Sequence, residues 1–218
     1  LVVGAEKHSF GLDLSTRGRN VSVIFGDGAG AVVLQPTDQS SGAAQNQGIL
    51  STHLHSDGES AEILAMYNPG THANHWKEEK YADFDEAEIA QMFFSHAMID
   101  NGQIFPNMDG PAVFKKAIVK FPEVILEALK ANNLQTADLQ LLIPHQANLR
   151  ISQFVQQKLQ LRDDQVYNNI QHYGNTTAAS VPIALCEAWE KGLVKEGDLI
   201  CLAAFGSGFT WASALLRW

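Results

Sequence analysis

The stretch LQLLIPHQANLRISQFVQQKLQ, residues 139–160, limits the fold most strongly. An apolar run of strand length stops at Pro144, and a helical pattern starts within a few residues. The same succession recurs along the chain. ILSTHLHSDG (49–58) reads as a strand, and FDEAEIAQMFFSHAMID (84–100) has helical spacing through Ile89, Met92, Phe93 and Ala97. AVFKKAIVKFPEVILEALKANN (112–133) is helical on both sides of Pro122, which implies a kink or two abutting helices. VYNNIQHYG (166–174) is strand-like, and AASVPIALCEAWEKGL (178–193) is helical. DLICLAAF and ASALLRW are strands joined across a glycine turn, and VSVIFGDGAGAVVLQ (21–35) reads as strand, tight turn, strand. This alternation predicts an α/β fold, with a mixed or parallel sheet covered by helices on both faces. Residues 36–48, PTDQSSGAAQNQG, are small and polar and form the clearest internal linker.

Composition narrows the function classes. The chain has 218 residues, 45% of them hydrophobic, enough for one globular domain or two joined halves. No apolar run reaches the ~18 residues of a membrane span. The start, LVVGAEKHSF, reads as a buried strand with no initiator Met and no signal-peptide pattern, so the chain is expected to begin within a sheet. Two cysteines make no disulfide framework; Cys186 and Cys201 both fall in apolar patterns and are expected in the core, in a cytoplasmic protein. A net charge of -9 argues against nucleic acid as a general partner. Against that background, Lys115, Lys116, Lys120, Arg150 and Lys158 make a local basic patch. Such a patch is either a solvated face or a dock for an acidic partner.

The chemistry gathers at strand ends, where α/β sheets bind ligands. His145 ends one strand, Asn175 sits in a glycine turn before a helix, and Gly206, Ser207 and Gly208 leave a third strand. A neutral imidazole donates one N–H and a carboxamide two, and the carboxamide does not ionise at working pH. That pair is suited to holding a carbonyl oxygen as an enolate forms. Backbone amides of the GSG turn could form a second oxyanion hole. Taken singly, each signal also has a structural reading, as a strand-end histidine or a helix cap. FGDGAG reads as a hairpin turn, because no phosphate-loop lysine is near it. His53 and His55 share a strand face but lack a third ligand at metal spacing and are read as structural.

Five separated segments, FGDGAGAVVL, GILSTHLHSDG, PHQANLRI, HYGNTTAASVPIAL and AFGSGFTWASALLRW, together resemble the β-ketoacyl-acyl carrier protein synthase III family of condensing enzymes. They run in family order, and the thirty-residue step from His145 to Asn175 is also the family's. The resemblance implies a thiolase-like fold, layered α-β-α-β-α. Residues 1–35 would end its N-terminal half, and residues 36–218 would form its C-terminal half. It implies a Cys-His-Asn site in which a cysteine takes the acyl group from acyl-CoA, malonyl-acyl carrier protein loses CO2, and the carbanion attacks the acyl-cysteine. His145 and Asn175 match the pair that binds the malonyl thioester oxygen. Phe205, Gly206 and Ser207 match the active-site loop, with Ser207 where the family uses a glycine amide.

Met108, Phe114, Ala147 and Asn148 match the pantetheine channel, and Arg17 and Gly18 match a pair that meets the CoA adenine. Lys115, Arg150 and Lys158 match positions that dock the carrier protein. Acyl-CoA and malonyl-carrier protein are substrates, and no cofactor or metal is implied. Family members are homodimers paired through the N-terminal half, which would put LVVGAE near that interface. The family's cysteine lies upstream of residue 1, so this chain alone is expected to be inactive. Residues 67–106 are longer than in compact members and are expected to shape the acyl entrance. Two alternatives stay open: a thiolase-fold enzyme acting on CoA esters without a carrier, and a partner subunit of a split synthase.

Overall fold

The computed structural model describes residues 1–36, 47–66 and 96–218. In chain order the elements are β1 (Val2–Glu6), α1 (Arg19–Ser22), β2 (Gly28–Val32), β3 (Gly48–Ser56), β4 (Leu64–Ala65), α2 (His96–Asp100), β5 (Asn107–Met108), α3 (Gly110–Ala131), β6 (Leu141–Pro144), α4 (Leu149–Leu159), α5 (Ile170–Tyr173), α6 (Ser180–Glu190), β7 (Leu199–Gly206) and β8 (Thr210–Arg217). A four-stranded sheet runs in the order β3-β8-β7-β6. Its first three strands are antiparallel, and β6 joins β7 in parallel. β1 pairs with β2, and β4 with β5, as separate antiparallel ribbons.

Side chains of successive strand residues point to opposite faces, and both faces of the central strands are buried. Leu142, Leu199, Cys201, Ala203 and Phe205 enter one core with Phe121, Ile125, Leu129 and Val155 from α3 and α4. Leu141, Ile143 and Ile200 enter the other, against Ala184, Leu185 and Ala188 of α6. This two-sided burial is why the strands read as continuous apolar runs.

α3 is one helix running through Pro122, not two helices abutting there. A proline in a helix interior costs about 3 kcal/mol. Its neighbours Phe121, Val124 and Ile125 are all buried, and each contributes roughly 1.5–3 kcal/mol by leaving water. Burial on one continuous stripe outweighs the lost amide bond. Asp109 starts the helix, its carboxylate accepting the Ala112 N–H at 3.1 Å.

Three further sequence expectations need correction. VSVIF is no strand: residues 19–22 form the helical turn α1, closed by the Ser22 hydroxyl donating to the Asp13 carbonyl at 2.6 Å. FGDGAG is therefore no hairpin turn, and β2 finds its partner in β1. Its glycines serve close approach instead. A Cβ at Gly28 would lie 2.9 Å from Thr176, and one at Gly30 2.8 Å from Pro182. VYNNIQHYG makes a single bridge, Val166 to Leu142, and then coils into α5, where the Gln146 side chain captures the Asn169 and Ile170 amides in place of a ladder.

Burial also departs from expectation. LVVGAE does form β1, yet Leu1, Val2 and Val3 are exposed, since the β1–β2 ribbon is covered on one side only, by residues 177–179 and α6. Cys201 is buried as expected, but Cys186 is exposed on the outer face of α6. The linker residues 37–46, and residues 67–95 with most of the predicted 84–100 helix, lie outside the described residues; its last turn is present as α2.

The two thiols should accordingly differ in reactivity. Burial pushes the Cys201 thiol up to about 12, and thiolate is the reactive form. A chromogenic disulfide reagent should titrate one thiol promptly in the native protein and two after denaturation. Prompt titration of both, or of neither, would contradict this packing.

Candidate active site

A cavity of about 890 Å³ opens at the carboxyl ends of β6 and β7. His145 enters it as the residue after β6. Its backbone N–H donates to the Ala203 carbonyl at 2.7 Å, extending the parallel ladder by one bond. The imidazole Nδ1 lies 2.6 Å from Ser180 Oγ, on the first residue of α6. The Gln146 N–H approaches the same oxygen at 3.4 Å as a donor, and we assign the hydroxyl proton to the bond with Nδ1, which gives that oxygen one donated and one accepted bond. A hydroxyl that donates to Nδ1 leaves the ring proton on Nε2. Enclosure of the ring disfavours its charged form and lowers its pKa from 6.5 to about 4. His145 is therefore a neutral N–H donor at neutral pH.

Asn175 is buried and also lines the cavity. Its N–H donates to Ile24 at 2.9 Å and its carbonyl accepts from Gly26 at 3.0 Å, which anchors it to the chain entering β2. Gly174 makes this possible: it has φ +69°, and a Cβ there would lie 2.9 Å from the Ile24 carbonyl. Asn175 Oδ1 accepts the Thr177 N–H at 2.8 Å. Only oxygen can accept there, so the amide orientation is fixed and the Nδ2 donors are left for a ligand. Two uncharged donors in the lining of one cavity are thus both oriented by bonds on their far ends.

Sequence reasoning passed over Gln146 and Ser180. Buried Gln146 donates through Nε2 to the Pro144 carbonyl at 2.6 Å and accepts the Asn169 and Ile170 N–H groups at 2.9 and 3.2 Å. It ties the end of β6 to the segment leading to Asn175. The signal was adjacency to His145, which by itself does not distinguish a support from a bystander.

Most predicted lining residues converge. Met108, Phe114, Ala147, Asn148, Phe205, Gly206 and Ser207 all line the cavity. Asn148 also caps α4, its Oδ1 accepting the Arg150 N–H at 2.9 Å. Phe205 packs on Phe209 with centroids 4.9 Å apart. Ser207 Oγ donates to the Leu64 carbonyl at 2.5 Å, fixing the loop to β4. Arg17 and Gly18 do not line the cavity. Arg17 binds the Asp13 carboxylate and the Asp100 carbonyl, each at 2.6 Å, and Gly18 packs on Asp13. Lys115, Arg150 and Lys158 are exposed. Lys116 and Lys120 instead pair with Asp57 and Glu123.

His53 and His55 both meet Glu127, at 3.3 and 2.6 Å, and the His55 bond is the main reason the Glu127 carboxyl titrates below its ordinary value. Among the described residues, no cluster of three or more His, Cys, Asp or Glu is arranged to hold a metal ion. No helix among them is long and apolar enough to cross a membrane.

The neutral imidazole has a stability signature. The unfolded chain takes up a proton near pH 6.5 and the folded chain only near 4, so the unfolded state binds more protons in that window. Stability falls as pH drops from 6.5 towards 4. His145→Gln should flatten this decline between pH 6.5 and 4.5 in urea titrations. An unchanged slope would contradict the low pKa.

The model of the 3-oxoacyl-[acyl-carrier-protein (ACP)] synthase III family matches residues 1–58, and that of the family's C-terminal domain matches residues 129–218. The chain is 43% identical over all 218 residues to beta-ketoacyl-[acyl-carrier-protein] synthase III of Rhodospirillum centenum, covering 58% of that protein. It is 38% identical to the corresponding synthase of Clostridium tetani, covering 59%. Among solved structures, the Aquifex aeolicus 3-oxoacyl-[acyl-carrier-protein] synthase III superposes with a TM-score of 0.77 at 36% identity, over 100% of this chain and 57% of that one. The Pseudomonas aeruginosa enzyme gives 0.77 at 34% identity, over 99% and 56%. The chain thus spans a little over half the length of these relatives, with their thiolase-like α/β fold. It belongs to the 3-oxoacyl-[acyl-carrier-protein] synthase III family.

Proposed function

We propose that this chain supplies the malonyl-binding half of the active site of a decarboxylative condensing enzyme. The observation that carries the reading is the pair of pre-oriented neutral donors, His145 Nε2–H and Asn175 Nδ2–H, facing one cavity. When the bond between the malonyl α-carbon and its carboxylate breaks, the electron pair moves onto the thioester oxygen. Donors already aimed at that oxygen stabilise the enolate without reorganising. The carbanion then attacks the carbonyl carbon of an acyl-cysteine, and the cysteine thiolate leaves. Cys186, exposed on α6, and Cys201, buried in the core, are unsuited to be that cysteine, so another is required. The Ser207 N–H is the candidate donor for the acyl oxyanion.

The remaining assignments belong to the same proposal. Met108, Phe114, Ala147 and Asn148 form the pantetheine wall. An adenine contact at Arg17 and Gly18 would compete with the bonds Arg17 makes to Asp13 and Asp100. Lys115, Arg150 and Lys158 dock the acidic carrier protein, supported by their exposure and by the absence of a carboxylate pair on any of them among the described residues. β4 and β5 bring both ends of the intervening segment to the cavity wall at Met66 and Pro106, which supports a role for residues 67–106 at the acyl entrance. Residues 1–35 and 36–218 fall to two thiolase-like halves, and the exposed β1 edge suits a homodimer seam. The reaction needs acyl-CoA and malonyl-carrier protein as substrates, no cofactor, and a cytoplasmic setting.

The test is condensation by the protein joined with its cysteine-bearing half. His145→Ala and Asn175→Ala should each lower malonyl decarboxylation by about 10²–10³-fold, the usual cost of one oxyanion donor. Reversing the charge of Lys115, Arg150 and Lys158 together should raise KM for malonyl-carrier protein while leaving malonyl-CoA turnover alone. Undiminished decarboxylation in either alanine variant would sink the donor assignment. Equal effects of charge reversal on both malonyl donors would favour an enzyme that acts on CoA esters without a carrier.

A further inference from the structure

Asn175 follows a segment with little backbone structure of its own. Residues 167–173 make one strand-like bond, from the Tyr167 N–H to the Leu142 carbonyl at 3.0 Å, and then only the four-residue helix α5. A single helical turn is unstable without tertiary support, because nucleation fixes several dihedrals for one hydrogen bond. At Gly174, with φ +69°, the chain turns from this segment into Asn175. The bonds of Asn175 to Ile24, Gly26 and Thr177 are local to the turn. Where the carboxamide stands therefore depends also on what fixes residues 167–173.

One side chain fixes them at three points. Glu187 of α6 accepts from the Tyr167 and Tyr173 hydroxyls at 2.9 and 2.5 Å and from Asn169 Nδ2 at 2.9 Å. These donors lie at the start, middle and end of the segment, and Tyr173 stands two residues before Asn175. The Lys191 ammonium is 3.8 Å from the same carboxylate and donates to the Tyr167 hydroxyl at 2.6 Å. Hydrogen bonds to a carboxylate are roughly twice as strong as neutral ones. The same helix also holds the other donor, since Ser180 bonds His145. Ser180 and Glu187 are the first and eighth residues of α6, about two turns apart on one face. Both sides of the site are thus referred to one helix.

We propose that Glu187 is a positioning residue for the malonyl step, setting through Tyr173 and Asn169 where the Asn175 carboxamide stands relative to the His145 imidazole. This rests on the reading of those two side chains as donors to one thioester oxygen. Glu187, Tyr167, Asn169 and Tyr173 do not line the cavity, so Glu187 acts only through the donor it holds. Such placement matters, because a misplacement of about 1 Å costs roughly 10²-fold in rate. Acyl transfer to the cysteine draws on a different donor, the Ser207 N–H, and does not need Asn175.

The experiment measures two half-reactions in the protein joined with its cysteine-bearing half: acyl transfer from acyl-CoA to the cysteine, and decarboxylation of malonyl-carrier protein. Glu187→Ala should lower kcat for decarboxylation about tenfold, with KM and acyl transfer within about twofold of wild type. Glu187→Gln, which keeps an acceptor for Asn169 and a hydrogen-bonding group for the tyrosines, should recover most of the loss. Tyr173→Phe, which removes one exposed hydroxyl, should show the same selective loss in smaller measure. In nitrogen-15 spectra the Asn175 carboxamide should shift in Glu187→Ala and Tyr173→Phe, while the His145 ring nitrogens stay in place. Where Asn175→Ala lowers decarboxylation, undiminished decarboxylation in Glu187→Ala or an unmoved carboxamide would overturn the proposal. Equal losses in both half-reactions, in Tyr173→Phe as in Glu187→Ala, would leave Glu187 a fold-stabilising role alone and overturn it too. Where Asn175→Ala decarboxylates undiminished, the donor reading fails instead, and the carboxamide shift in Glu187→Ala still decides whether Glu187 positions Asn175.

Discussion

The bond between His145 and Ser180 is the contact on which the rest of the site depends. It joins the end of β6 to the first residue of α6 at 2.6 Å. With the Ser180 hydroxyl assigned as donor to Nδ1, the ring proton stands on Nε2. Enclosure removes the charged form. A charged or reversed imidazole in the same place could not serve as an uncharged donor to an enolate oxygen. The chemistry thus follows from one hydroxyl and the burial around it.

The turn that carries Asn175 depends on a second network, whose residues do not line the cavity. The Glu187 carboxylate accepts from Tyr167 and Asn169 at 2.9 Å each and from Tyr173 at 2.5 Å. These bonds, led by the one from Tyr173, hold the Glu187 carboxyl down to about 2. They clamp residues 167–173 to α6, while Gln146 ties residues 169–170 to β6. The turn at Gly174 and Asn175 is therefore suspended from both elements that carry the histidine side of the site. Displacing it would break several charge-assisted or buried hydrogen bonds, each among the stronger kind.

Much of this was legible in the residues. β6, β7, β8, α4 and α6 follow directly from apolar runs and their punctuation, because two-sided burial leaves a plain signature. His145 and Asn175 stood out because strand ends and glycine turns are where ligands meet α/β sheets. What misled was local propensity. Val21, Val23 and Ile24 favour a strand, yet tertiary bonds through Asp13 and Asn175 bend that stretch into a turn. Gly28 and Gly30 resemble turn residues but are demanded by close packing on Thr176 and Pro182, a reason set by distant sequence. Pro122 announced a break that burial overrode. Gln146 and Ser180 owe their importance to partners far along the chain, and no spacing rule reaches that far.

The central claim is the protonation state of one imidazole. Nitrogen-15 NMR of ring-labelled histidine, assigned through His145→Gln, reads it directly between pH 4 and 8. The structure predicts a neutral ring at pH 7 with hydrogen on Nε2 and a bare, hydrogen-bonded Nδ1, titrating only near pH 4. A protonated imidazolium at pH 7, or a proton resident on Nδ1, would contradict it.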